Sequence, residues 1–168
     1  MKLYKIFITA CAATTLAFSS PALATGASIQ SQADKSAPVG AEDLYKLYRD
    51  KTWVWSNGAA YFASNGEFDG WSRSGDEAAY GKGRWWVNFL GGMCIKAAWH
   101  TKAGAHTSLT CFSHKDDGRV LYQKKESGGD WFVFRSFPGK VDDEFRRLEG
   151  GNRIASDLRT AKMEVSEK

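Results

Sequence analysis

From Thr52 to Phe137 the chain is cut at near-regular intervals by turn-forming steps. They are Asn57-Gly58, Asn65-Gly66, Ser74-Gly75-Asp76, Gly91-Gly92, the Lys102 to Gly104 step, Asp116-Asp117-Gly118 and Gly128-Gly129-Asp130. Asn-Gly and Asp-Gly supply the backbone conformations that tight hairpins demand, so they are strong short-range hairpin signals. Between them lie eight segments rich in β-branched and aromatic residues: 52–55, 59–62, 67–72, 79–89, 93–101, 107–114, 120–125 and 131–137. Strands this short, joined almost throughout by hairpins, fit a sandwich or a barrel. Up-and-down order favours a barrel, because closure disposes of exposed edges. The spacing therefore predicts an all-β fold, an eight-stranded antiparallel up-and-down barrel of lipocalin-like shape, preceded by a short helix.

The centre of this pattern is the hairpin formed by residues 81–100, GKGRWWVNFLGGMCIKAAWH. Read with period two, Gly81, Gly83, Trp85, Val87 and Phe89 share one face, and Lys82, Arg84, Trp86 and Asn88 share the other. The first face is expected to look into the barrel. Seven tryptophans follow residue 50; indoles can pack a core or stack on a ligand. In an eight-stranded barrel the inward side chains either fill the interior or leave a small cavity. Gly81 and Gly83 beside Trp85 mark space that is taken by a neighbouring indole or by a ligand. The candidate ligand-binding residues are therefore Trp85, Gly81, Gly83, Val87, Phe89 and Trp99.

The first 24 residues have the layout of a secretory leader. Lys2 and Lys5 precede an apolar run from Ile6 to Phe18, and Ala22-Leu23-Ala24 is a small-x-small cleavage site. The run is too short for a comfortable membrane span. Ile8-Thr9-Ala10-Cys11 has the outline of a lipoprotein box, but few apolar residues precede Cys11. Cleavage after Ala24 leaves 144 residues, one domain's worth, and the loss of Lys2 and Lys5 lowers the formal net charge from +4 to +2. That balance gives no electrostatic footprint for nucleic acid. Residues 25–40 are small and polar and read as a flexible linker. Leu44, Leu47 and Tyr48 recur at helical spacing behind Glu42 and Asp43, which predicts a helix over 41–49. The domain then spans 41–138, and 139–168 form a polar C-terminal extension.

Two cysteines follow the leader, Cys94 and Cys111, and an exported chain meets an oxidising compartment. A hairpin centred on Lys102-Ala103 pairs residues whose numbers sum to about 205, which sets Cys94 opposite Cys111. A cross-strand disulfide is expected. A catalytic thiol pair has no C-x-x-C to support it. His100 and His106 lie near the same turn, where two imidazoles could hold zinc, but no third ligand has a recognisable spacing. Glu67 and Asp69 share a strand face without forming an obvious dyad, and no nucleophile elbow or phosphate loop occurs. No catalytic signature, metal site or cofactor motif is read.

A helix leading into Lys51-Thr52-Trp53, then Gly66-x-Phe68 with Trp71, Gly83-x-Trp85, Cys94 followed by Trp99, and Cys111 resembles the domain-of-unknown-function 995 family of secreted proteobacterial proteins. The resemblance covers residues 43–137. It implies a bacterial periplasmic or secreted location and a fold, and no reaction. The function expected is non-enzymatic binding of a small apolar or amphipathic ligand or an envelope component. The alternative is a structural or interaction module with a packed interior, such as an inhibitor or partner of an envelope enzyme.

Overall fold

The computed structural model describes residues 28–167. The leader, its cleavage position and the Cys11 alternative lie outside them. In chain order the elements are α1 (Ile29–Lys35), β1 (Ala37–Pro38), α2 (Ala41–Tyr48), β2 (Lys51–Trp55), β3 (Gly58–Phe62), β4 (Glu67–Ser74), β5 (Glu77–Val87) and β6 (Gly92–Thr101). They continue with β7 (Gly104–Asp116), β8 (Val120–Lys125), β9 (Phe132–Ser136), the 3-10 turn η1 (Glu144–Arg147), β10 (Leu148–Gly150) and α3 (Ala155–Ser166).

The eight expected strands are β2 to β9, and each pairs antiparallel with the next. Turn chemistry accounts for the sharp connections. Gly66 closes the β3–β4 turn at φ +81°, a left-handed conformation costly for a residue with a Cβ. The β6–β7 register runs from Gly92 opposite Ser113 to Thr101 opposite Gly104. It sets Cys94 opposite Cys111, and a disulfide joins them.

Two expectations are corrected. The sheet has ten strands rather than eight, and it curls without closing. Its order runs β10-β2-β3-β4-β5-β6-β7-β8-β9, with β1 attached to β7, so β9 and β10 are unpaired edges among the described residues. The η1 turn packs against both β9 and β2 and fills the seam between those edges. The cause is local. Leu148–Gly150 is too short to show strand periodicity, yet Thr52 fixes it in place. The buried Thr52 hydroxyl donates to the Gly151 carbonyl (2.8 Å) and accepts from the Arg153 amide (3.0 Å).

The residues read as linker and extension also carry structure. Within 25–40, Ser28 caps α1 through the Ser31 amide, and α1 buries Ala33 against Tyr122 and Trp131. At the other end α3 lies on the convex face of the sheet. Ile154 and Leu158 pack on Ala59, and Arg73 of β4 holds Glu164 at 2.7 Å. The main core lies on the concave side. There α2 closes one end of the curl: the Tyr48 ring meets Trp53 of β2, Phe62 of β3, His114 of β7 and Phe134 of β9.

Candidate functional site

Strand alternation decides which side chains reach the concave side. On β5, Trp85 is buried while Arg84 is exposed and Trp86 is 42% exposed. Carried across the register, the same face holds Ile95 and Trp99 of β6 and Ser108, Thr110 and Phe112 of β7. On the far side it holds Trp53 and Trp55 of β2, Ala60 and Phe62 of β3 and Phe68 of β4. Trp53 and Phe112 come within 5.3 Å across the interior. These residues line a cavity of about 340 Å³ at the end of the curl away from α2, with Gln123, Phe132 and Glu144 completing its wall. An adjoining recess of about 350 Å³ shares Trp55, Trp99 and Ser108 and adds Ser72, Ala79 and His106. The interior is thus filled near α2 and hollow beyond it.

The expected binding residues separate when placed in this geometry. Trp99 lines the cavity. Trp85 does not. It stacks on Tyr45 of α2 (centroids 5.5 Å, interplanar 10°), meets Phe62 edge-on and donates its indole N–H to the Ala63 carbonyl at 2.8 Å. It is a core residue tying α2 to the sheet. Val87 packs with the same core. Gly81 forms no part of the cavity wall; its missing side chain makes room for Trp99, whose ring atoms lie 2.9 to 3.1 Å from where a Cβ would stand. The same indole reaches over Gly70 of β4, so two glycines on neighbouring strands form a flat bed beneath it. Gly83 serves backbone approach, since a Cβ there would collide with Lys96 and Ala97 main-chain atoms. Phe89 sits beyond the end of β5 in the following turn and is 80% exposed, because alternation stops with the strand at Val87.

The histidines also separate. His100 is opposite Ala105 and stacks on Tyr80, whereas His106 is opposite Trp99 and lines the recess. They occupy opposite faces and cannot share a metal ion. His114 is the histidine that matters to the interior. It is fully buried, its Nδ1–H donates to the Gly91 carbonyl (3.1 Å), and burial holds its pKa down at about 4. The imidazole is therefore neutral with a bare Nε2, which accepts from the Tyr48 hydroxyl at 2.7 Å. Tyr48 in turn accepts from the Gln123 amide N–H at 2.7 Å. This chain orients Gln123 so that its amide nitrogen faces Tyr48 and His114. Its buried carbonyl oxygen is left without a hydrogen-bond partner among the described residues.

Glu144 enters the wall from η1. Its carboxylate accepts from the Trp53 indole N–H at 2.9 Å and meets Arg147 at 3.3 Å. Sequence reading missed Gln123, His114 and Glu144 as parts of this region. Extending the alternation from Ile95 through Thr110, Phe112 and His114 to Gln123 would have found the first two. Glu144 carries no such signal, since it comes from an irregular segment.

A family model described as "Protein of unknown function (DUF995)" matches residues 13–154. The chain belongs to the DUF995 family. The DUF995 match covers every strand of the sheet and the whole cavity wall and ends before α3. It agrees with the resemblance read over 43–137, and its description carries no activity. Nothing among the curated proteins or the solved structures matches the chain.

Proposed function

We propose that this protein is a non-enzymatic, extracytoplasmic binding protein for a small apolar or amphipathic molecule, held in the concave cavity. The observation that carries the reading is the cavity itself. At about 340 Å³ it is the size of a small-ligand site, and its wall is mostly aromatic with four polar side chains. Its apolar wall is bedded on rigid strands and braced by α2, so the space persists without a ligand. The location rests on the leader pattern and on the Cys94–Cys111 disulfide, which fits an oxidising compartment. No helix among the described residues is long and apolar enough to cross a membrane.

Calorimetric titration of the purified protein with octan-1-ol tests the reading. The expected result is saturable one-to-one binding that weakens at least tenfold in Thr110→Phe, which fills the cavity from β7. Absence of binding at millimolar octanol, or equal binding by a folded Thr110→Phe protein, would overturn it. A second reading, an interaction module that uses its outer surface, is favoured by exposed Trp86, Phe89 and Leu90 at one end of β5 and its turn. Under that reading Phe89→Ser with Leu90→Ser abolishes partner capture and leaves octanol binding untouched.

A further inference from the structure

We infer that the cavity selects ligands whose polar end donates hydrogen bonds, alkyl or aryl amines foremost, and discriminates against carboxylates. This inference rests on the binding reading above and adds the chemical class of the ligand. Three observations converge on it.

The first is the Gln123 carbonyl. A buried acceptor without a donor is costly, and natural interiors rarely keep one. Here the orphan is enforced. The Gly91 carbonyl fixes the His114 tautomer, the bare imidazole nitrogen takes the Tyr48 proton, and Tyr48 takes the Gln123 N–H. Turning the amide round would set a carbonyl against a bare imidazole nitrogen 2.8 Å away. Gln123 belongs to the cavity wall and its oxygen is covered by neighbouring wall atoms, so a ligand donor becomes its partner once the side chain shifts to admit it.

The second is the sign of the charge. Among the described residues Glu144 is the one ionisable side chain in the wall, and no Lys, Arg or His lines the cavity. Its nearest cation, Arg147, is half-exposed and stands outside the lining. A ligand carboxylate would be desolvated beside a second carboxylate, with no lining cation among the described residues to receive it. An ammonium group meets the Glu144 carboxylate, which already accepts from the Trp53 indole N–H.

The third is the aromatic wall. Trp53, Trp55, Trp99 and Phe112 surround the space, and the negative faces of aromatic rings attract cations, indole most strongly. The remaining polar groups, the Ser108 and Thr110 hydroxyls, serve donors and acceptors alike.

The test compares three molecules with the same eight-carbon chain, octylamine, octan-1-ol and octanoate, by calorimetry at pH 7.4. The expected order of affinity is amine, alcohol, carboxylate, with at least tenfold between first and last. Glu144→Gln keeps the acceptor for Trp53 and removes the charge. It should weaken octylamine at least fivefold and leave octan-1-ol within twofold. Gln123→Met, checked for native near-ultraviolet circular dichroism, should weaken amine and alcohol together. If the Met variant does not fold, Glu144→Gln decides alone. Octanoate binding as tightly as octylamine, or an unchanged amine affinity in Glu144→Gln, overturns the selectivity and leaves the binding reading standing. Failure of all three molecules to bind overturns the binding reading and this inference with it.

Discussion

Gly81→Ala probes the bed of Trp99 with a single methyl group. A Cβ at residue 81 would stand 2.9 Å from two atoms of the Trp99 indole and 3.1 Å from a third. Real contacts of this kind are longer, so the ring must lift by several tenths of an ångström. Overpacking of this sort costs about 2 kcal/mol. Gly81 does not have positive φ, so alanine fits its backbone and recovers about 0.5–1 kcal/mol through the unfolded state. The net loss is about 1–1.5 kcal/mol, a fall in Tm of about 3–6 °C for a domain this size. Gly83→Ala is different in kind. Its Cβ meets main-chain atoms of Lys96 and Ala97, which cannot swing away, and the loss should reach about 3 kcal/mol or more. Urea denaturation of the two variants measures both values. The decisive step is the cycle with Trp99→Leu. Once the indole is gone, Gly81→Ala should become neutral or slightly stabilising, a coupling of about 1–2 kcal/mol. An equal cost of Gly81→Ala in both backgrounds would refute the bed, and so would equal costs for the two glycines in the parent protein.

Other consequences follow from the core and the bridge. Trp85→Ala should cost about 3–5 kcal/mol, because it removes a buried indole and orphans the Ala63 carbonyl, whereas Trp86→Ala on the outer face should cost under about 1 kcal/mol; chemical denaturation of the pair checks the face assignment. Replacing Cys94 and Cys111 by alanine opens a loop with a sequence separation of 17, which the chain-entropy account values at about 3 kcal/mol. The far-ultraviolet spectrum should nevertheless persist, since the turn at Lys102-Ala103 sets the register independently. His114 is neutral in the folded protein, with its pKa held down at about 4 against an ordinary value of 6.5, so unfolded chains bind its proton first as the pH falls. Its contribution is complete above about pH 6.5 and declines by about 3 kcal/mol as the pH drops toward 4. A folded His114→Gln variant, followed by urea midpoints between pH 7 and 4, should lose that slope.

The parts of the fold visible in the sequence are those fixed by local rules. Turn steps such as Asn65-Gly66 and Asp117-Gly118 marked the hairpins, and period-two alternation assigned Trp85 and Trp86 to opposite faces. Hairpin arithmetic located the disulfide because register is a local property of a two-residue turn. What stayed hidden depends on contacts between distant segments. β10 is held by Thr52 about a hundred residues earlier, and the seam is filled by η1. The site was legible in kind and only partly in detail. Gly81 and Gly83 beside Trp85 mark space for an indole or a ligand; at Gly81 the Trp99 indole takes that space, and Trp99 also lines the cavity. Phe89 was carried inward by a periodicity that ends two residues before it. The Tyr48–His114–Gln123 chain joins α2, β7 and β8, and no spacing within one segment encodes it.

The proposed function puts a small amphipathic molecule in the space between Trp53, Trp55 and Trp99. Indole N–H resonances report on this directly, because the chain has seven tryptophans spread over core, cavity and surface. In a ¹⁵N-resolved titration with octylamine, the Trp53, Trp55 and Trp99 signals should shift saturably and together, while Trp86 and Trp131 stay in place. Saturable shifts confined to Trp86, or no shift at the three cavity indoles at saturating ligand, would show that the cavity is not the binding site.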